Sequence, residues 1–150
     1  MTAFFRKNPL FLIFLLPIVV DVVGTVFGQP PEYWTSGYQV FNEALPIYPL
    51  LQIHPLLFVI VCLGGWLSFT YWLTVKLREP FNIWATMSLL IGHGYNSVAW
   101  LRINQNQAGI LSQTDQFTQS LSLLPMTVYI LCIGFIATKG WLLYLEKRTE

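Results

Sequence analysis

The chain has 150 residues, of which 55% are hydrophobic, 16% aromatic and only 10% charged. Soluble domains carry about 25% charged residues, so this composition and a mean hydropathy of +0.56 point to a membrane protein. A net charge of +1 with no run of basic residues excludes a nucleic-acid footprint. The length suits one domain.

Met1–Asn8 is a short head carrying Arg6 and Lys7. Pro9–Gly28 follows, an apolar stretch interrupted by one charge, Asp21. About twenty apolar residues at about 1.5 Å each match a bilayer core of about 30 Å, which predicts a first span. A cleaved signal peptide is the competing reading, because the head is basic. The stretch is too long for a signal core and lacks a small-x-small cleavage site. Gln29–Ile53 forms an outer loop with Glu32 and Glu43 and no Lys or Arg. Its Gln29-Pro30-Pro31 run signals a turn, and Tyr33 and Trp34 have the character of interfacial anchors. Tyr38, Phe41 and Leu45 share a face, so Ser36–Leu45 reads as a short helix on the membrane surface. Pro46, Pro49 and Pro55 then break the path.

His54–Val75 is the second span, and Gly64, Gly65 and Ser68 give it a small-residue seam suited to close helix approach. Phe81–Leu101 is the third. Arg102–Ser120, rich in Asn, Gln, Ser and Thr, reads as a loop. Ser122–Leu145 is the fourth span, with Gly134 and Thr138 as another seam, before the charged tail Glu146–Glu150. Arg6, Lys7, Lys76, Arg78, Lys147 and Arg148 fall in the head, second connection and tail. By the positive-inside rule both termini are cytoplasmic. The expected fold is an all-α, single-domain integral membrane four-helix bundle.

Two spans carry chemistry. On the third, Asn82, Thr86, His93, Asn96, Ser97 and Asn104 keep one helix face. A histidine between Gly92 and Gly94 in hydrocarbon is costly unless it faces the protein interior. On the first, Pro17, Asp21, Gly24, Thr25 and Gly28 fall on one face, and an intramembrane carboxylate needs a partner or a proton. Asp21 and His93 each lie about twelve residues from the cytoplasmic end of their spans, about 18 Å deep. Thr25, Asn96 and Ser97 are a turn further out. Asp21 is therefore positioned to orient His93. Glu43, Asn42, Tyr33, Trp34 and His54 belong to the same side and are candidates to cap the cluster. Ordinary readings stand beside these: an Asp that only locks helices, anchoring aromatics, a solvated Glu43, and His54 as a helix-start residue.

Asp21-x-x-x-Thr25, Asn42-Glu43 and His93-x-x-Asn96 resemble the pattern of small polytopic bacterial membrane proteins of unknown function. The resemblance implies no activity. Metalloprotease, hydrolase, phosphate-loop and dinucleotide motifs are missing, as are Cys-x-x-Cys signals, so no metal is expected. Cys62 and Cys132 read as small buried hydrophobes. His54 and His93 lie at different depths, which disfavours bis-histidine haem. A single axial His93 for haem or a chlorophyll-type pigment stays open, and the cofactor is unknown.

The leading expectation is a ligand-binding protein or accessory subunit with a polar intramembrane pocket. A membrane enzyme using Asp21, His93 and Glu43 for acid–base work is the alternative, and a proton-coupled carrier is the third. Partners are then the lipid bilayer and, for a subunit, a membrane protein or second copy of the chain.

Overall fold

The computed structural model describes residues 3–42, 47, 49–109 and 116–149, with backbone alone for 116–122. Among these the chain is helical and no strand forms. In order the helices are α1 (Ala3–Lys7), α2 (Pro9–Ile13), α3 (Leu15–Phe27), α4 (Pro31–Thr35), α5 (Pro49–Ile53), α6 (Pro55–Val75), α7 (Phe81–Gln107) and α8 (Gln116–Thr149).

Two of them are long and apolar enough to cross a membrane: α6, with mean hydropathy 1.9, and Leu123–Thr149 of α8, with 1.7. The other two expected spans, Pro9–Gly28 and Phe81–Leu101, differ from their predicted bounds. The first stretch divides at Phe14, whose backbone (φ −109°, ψ 3°) is not helical. Pro17 is the cause: it offers no N–H to the Ile13 carbonyl, and its ring crowds that carbonyl four residues back. What remains is a short α2 and a 13-residue apolar α3. The third stretch is longer than expected, running to Gln107, because Arg102, Gln105 and Gln107 are good helix formers. Its polar face is what lowers its hydropathy. The last helix likewise begins at Gln116.

Helix starts follow local chemistry. Pro55 occupies the first position of α6, where a missing N–H costs nothing. His54 caps it, its Nδ1 accepting the Leu56 N–H at 3.1 Å. In the described part of the loop the helix is α4, started by Pro31, and residues 36–42 of the expected Ser36–Leu45 helix are not helical. Gly37 (φ 67°) and Tyr38 (φ 71°) turn the chain left-handed there, which ends any helix. Residues 43–46, with Glu43, lie outside the described residues.

The most extensive helix contacts are α3 on α7 and α2 on α8, with α6 packed against α3 and α7. Two apolar clusters result. Val22, Val26, Tyr33, Leu51, Phe58 and Cys62 bury one toward the α4–α5 loop. Phe11, Phe14 and Ile18, with Leu89 and Leu90 against them, bury the other.

The glycine seams behave differently from expectation. A Cβ added at Gly64, Gly65 or Gly134 would meet nothing within 4 Å, so among the described residues no neighbouring helix packs closely on them. Close approach occurs elsewhere. A Cβ on Gly24 would lie 2.9 Å from Trp100 Cβ, and one on Gly28 would run into the Trp100 ring. One on Gly140 would lie 2.6 Å from Ile13 Cγ1. Small residues allow approach, but the shape of the opposing side chain decides where it happens.

Candidate functional site

The site is built on the α3–α7 interface. Asp21 and Thr25 share a face one turn apart, and the Thr25 hydroxyl donates to the Asp21 carbonyl at 2.8 Å. His93 on α7 is 7% exposed and Asp21 8%. His93 Nδ1 lies 2.6 Å from Asp21 Oδ2. With the carboxylate ionised, Nδ1–H donates to it, which fixes the imidazole tautomer and leaves Nε2 as the acceptor. Trp66 of α6 meets the imidazole edge-on, with ring centres 4.6 Å apart and planes at 85°. That indole blocks one side of the ring and holds its orientation.

A cavity of about 470 Å³ opens beside this pair. Its polar wall is Asp21 and Thr25 of α3, Asn96 of α7 and Asn42 of the loop. Its apolar wall includes Phe58, Cys62 and Trp66 of α6 and Trp100 of α7. The carboxylate therefore reaches the cavity, while the imidazole stands behind it and is absent from the wall. A groove of about 600 Å³ runs along Tyr95, Val98 and Arg102 on the outside of α7. It is larger but holds none of the buried polar side chains, so the α3–α6–α7 cavity is the candidate site.

Of the residues singled out in the sequence, Asp21, Thr25, Asn42 and Asn96 come together on the cavity, with His93 directly behind. Asn96 is solvent-exposed in the helix yet borders the opening. Ser97 is fully buried but turns elsewhere. Its hydroxyl donates to the Gly94 carbonyl at 2.9 Å and accepts from the Tyr129 hydroxyl at 2.6 Å. Tyr33 is fully buried in the loop core, its hydroxyl donating to the Leu51 carbonyl at 2.8 Å. Burial, and then the neighbouring Tyr38, hold its phenol above the ordinary tyrosine range. It thus remains a donor across neutral pH. Trp34 is exposed and packs edge-on against Tyr33. Neither aromatic lines the cavity.

Two residues were missed. Gln29, 1% exposed, closes the end of α3 over the loop. Its Oε1 accepts the Asn42 N–H at 2.7 Å and its Nε2 donates to the Thr25 carbonyl at 2.7 Å. One amide thus ties the cavity's loop wall to its helix wall. Nothing in the sequence distinguished it from an ordinary turn glutamine. Tyr129, a phenol in the apolar middle of α8, carried no polar pattern of its own.

Further along the interface, the Asn104 amide donates to the Trp100 carbonyl at 2.8 Å and reaches the Gly24 carbonyl at 3.5 Å. The Gln107 amide donates to the Gly28 carbonyl at 2.9 Å. The Gln107 amide thus satisfies a carbonyl just past the end of α3, whereas the Gly24 carbonyl already accepts the Gly28 N–H at 2.8 Å. Among the described residues no three His, Cys, Asp or Glu side chains converge as a metal site would require. Compared with known proteins, the chain matches no family model, no curated protein and no solved structure.

Proposed function

We propose that this chain is a four-helix integral membrane protein, both termini cytoplasmic, whose outward-opening pocket binds a small molecule. In this reading α2 and α3 together make the first crossing and α7 the third. The exposed Ile91, Tyr95, Leu131 and Phe135 face lipid. The observation that carries the ligand reading is a buried carboxylate, held by His93 at 2.6 Å, on the wall of an otherwise largely apolar cavity. Asp21 can accept a hydrogen bond from an amine or hydroxyl of the ligand, and Asn96 and Asn42 supply further polar contacts. Phe58, Trp66 and Trp100 suit an apolar body, the usual division of labour in a small-molecule site.

The acid–base enzyme draws on the same Asp–His contact but needs the imidazole on the cavity wall, so it stands second. A carrier needs a path to the other side. Beneath the pair, Phe11, Phe14 and Ile18 pack with Leu89 and Leu90 into an apolar layer.

The test is to purify the protein in mild detergent and identify co-purifying small molecules by mass spectrometry. A bound species should be retained by the wild type, weakened by Asp21→Asn and displaced by Ala99→Phe, since Ala99 lines the cavity. Identical retention in all three would defeat the proposal.

A further inference from the structure

At the opposite end, α1 and the last turns of α8 border a basin of about 620 Å³ lined by Arg6, Lys7, Glu146 and Lys147. Lys7 and Lys147 also border an inner pocket of about 140 Å³, whose floor includes Asn8, Thr74, Asn82 and Tyr144. Three cations thus face one acid. Of the other charges at this end, Arg148 stands 3.4 Å from Glu79. Lys147 Nζ donates to the Lys7 carbonyl at 2.8 Å, which fixes the ammonium over the basin and leaves two of its three N–H groups for a ligand.

The second observation lies deeper. The Tyr144 hydroxyl oxygen is buried and has no hydrogen-bond partner among the described residues. Its ring is held by stacking on Trp141, with centres 5.5 Å apart and planes at 30°. Buried hydroxyls are normally satisfied. A donor without an acceptor, on a pocket that Lys7 and Lys147 also border, fits an anion with several acceptor oxygens. We propose that this basin binds a phosphate-bearing anion, either the headgroup of an anionic lipid or a free phosphate.

The lipid-borne form rests on the membrane reading above, in which this end meets the anionic cytoplasmic leaflet; the free form does not. The test uses the full chain in phosphatidylcholine nanodiscs with or without phosphatidylglycerol, reading retained lipid by native mass spectrometry. A parallel arm adds inorganic phosphate to protein in detergent and reads thermal stabilisation. Phosphatidylglycerol should be retained over phosphatidylcholine, and Lys147→Gln should lower that retention about fivefold. Tyr144→Phe, which keeps the ring, and Arg6→Gln, at an exposed position, should each lower it by less. Phosphate stabilisation that is lost in Lys147→Gln would assign the free anion as ligand. Equal lipid retention in all variants, with no response to phosphate, overturns the site. Failure to enter nanodiscs would instead defeat the membrane reading, and the detergent arm would still decide this one.

Discussion

The two most extensive helix pairs, α3–α7 and α2–α8, are joined by opposite means. α3 and α7 run the same way, and polar side chains cross between them at successive heights: Asp21 with His93, Asn104 toward Gly24, and Gln107 to Gly28. α2 and α8 run in opposite directions and meet through a notch, Ile13 lying over Gly140, with one lysine bond at the end. Buried threonines elsewhere need no partner helix. Thr70, Thr74 and Thr86 each donate to the carbonyl four residues back, at 2.7–2.8 Å. Most of the polarity satisfied between helices is therefore gathered on α3–α7, where the cavity opens, with Tyr129 to Ser97 as a crossing between α8 and α7.

The largest expected effect is at the Asp21–His93 pair. Losing one partner leaves the other buried and uncompensated, which costs about 3–5 kcal/mol in a buried pair. Asp21→Asn and His93→Gln should each destabilise the protein, and the double variant should cost clearly less than their sum. Unfolding should be followed in one detergent at fixed pH, since protonation changes either group. Strict additivity would show that the contact contributes nothing, and the two interfaces would then differ only in composition.

This pair was legible because depth can be counted: equal distances along two helices brought Asp21 and His93 to one height. The helix-face pattern was legible too, since Asn82, Thr86, His93 and Ser97 are all buried. Asn96 sits about 100° around the helix from Ser97, so adjacency along the chain did not give it the same surroundings. The end of α7 was misread because polar residues past Leu101 resembled a loop. The Gln107 amide instead supplies the donor for the Gly28 carbonyl at the end of α3. The break at Phe14 followed from Pro17, but its effect on the carbonyl four residues back was overlooked. Gln29 and Tyr129 depend on what lies opposite them, which one chain segment does not reveal.

The second effect separates notches from open stripes. Gly28→Leu drives a side chain into the Trp100 ring and should cost about 1–3 kcal/mol by overpacking. Gly65→Leu fills open space and should change monomer stability by less than about 0.5 kcal/mol. Thermal unfolding in detergent distinguishes them. A large loss at Gly65 would mean that another chain covers α6, giving the protein a membrane partner or a second copy there.

Next comes the clasp. Gln29→Ala removes the acceptor of the Asn42 N–H and the donor to Thr25, at a cost of about 1–3 kcal/mol if water cannot replace them. The loss should be local, because one wall of the cavity is loop. Hydrogen exchange at the Asn42 amide should speed up while amides of α3 around Asp21 keep their protection. Uniform acceleration across α3 would show that the clasp belongs to the helix interface and not to the loop.

The smallest effect concerns the tie between α7 and α8 at Tyr129. The phenol donates to the Ser97 hydroxyl at 2.6 Å, and that hydroxyl already donates to Gly94. Tyr129→Phe keeps the ring and leaves Ser97 its donor bond, so nothing charged is stranded. Hydrogen bonds between membrane helices average about 0.6 kcal/mol, because the separated helices also find partners. The expected loss is of that size, well below the loss at Asp21 or His93. Ser97→Ala removes this bond and the one to Gly94, so it should cost somewhat more, and the double variant no more than Ser97→Ala alone, since the shared bond is lost once. A cost at Tyr129 equal to that at Asp21 would mean that α8 is bound to α7 as tightly as α3 is, and the contrast between a polar interface and an apolar one would fail at its edge.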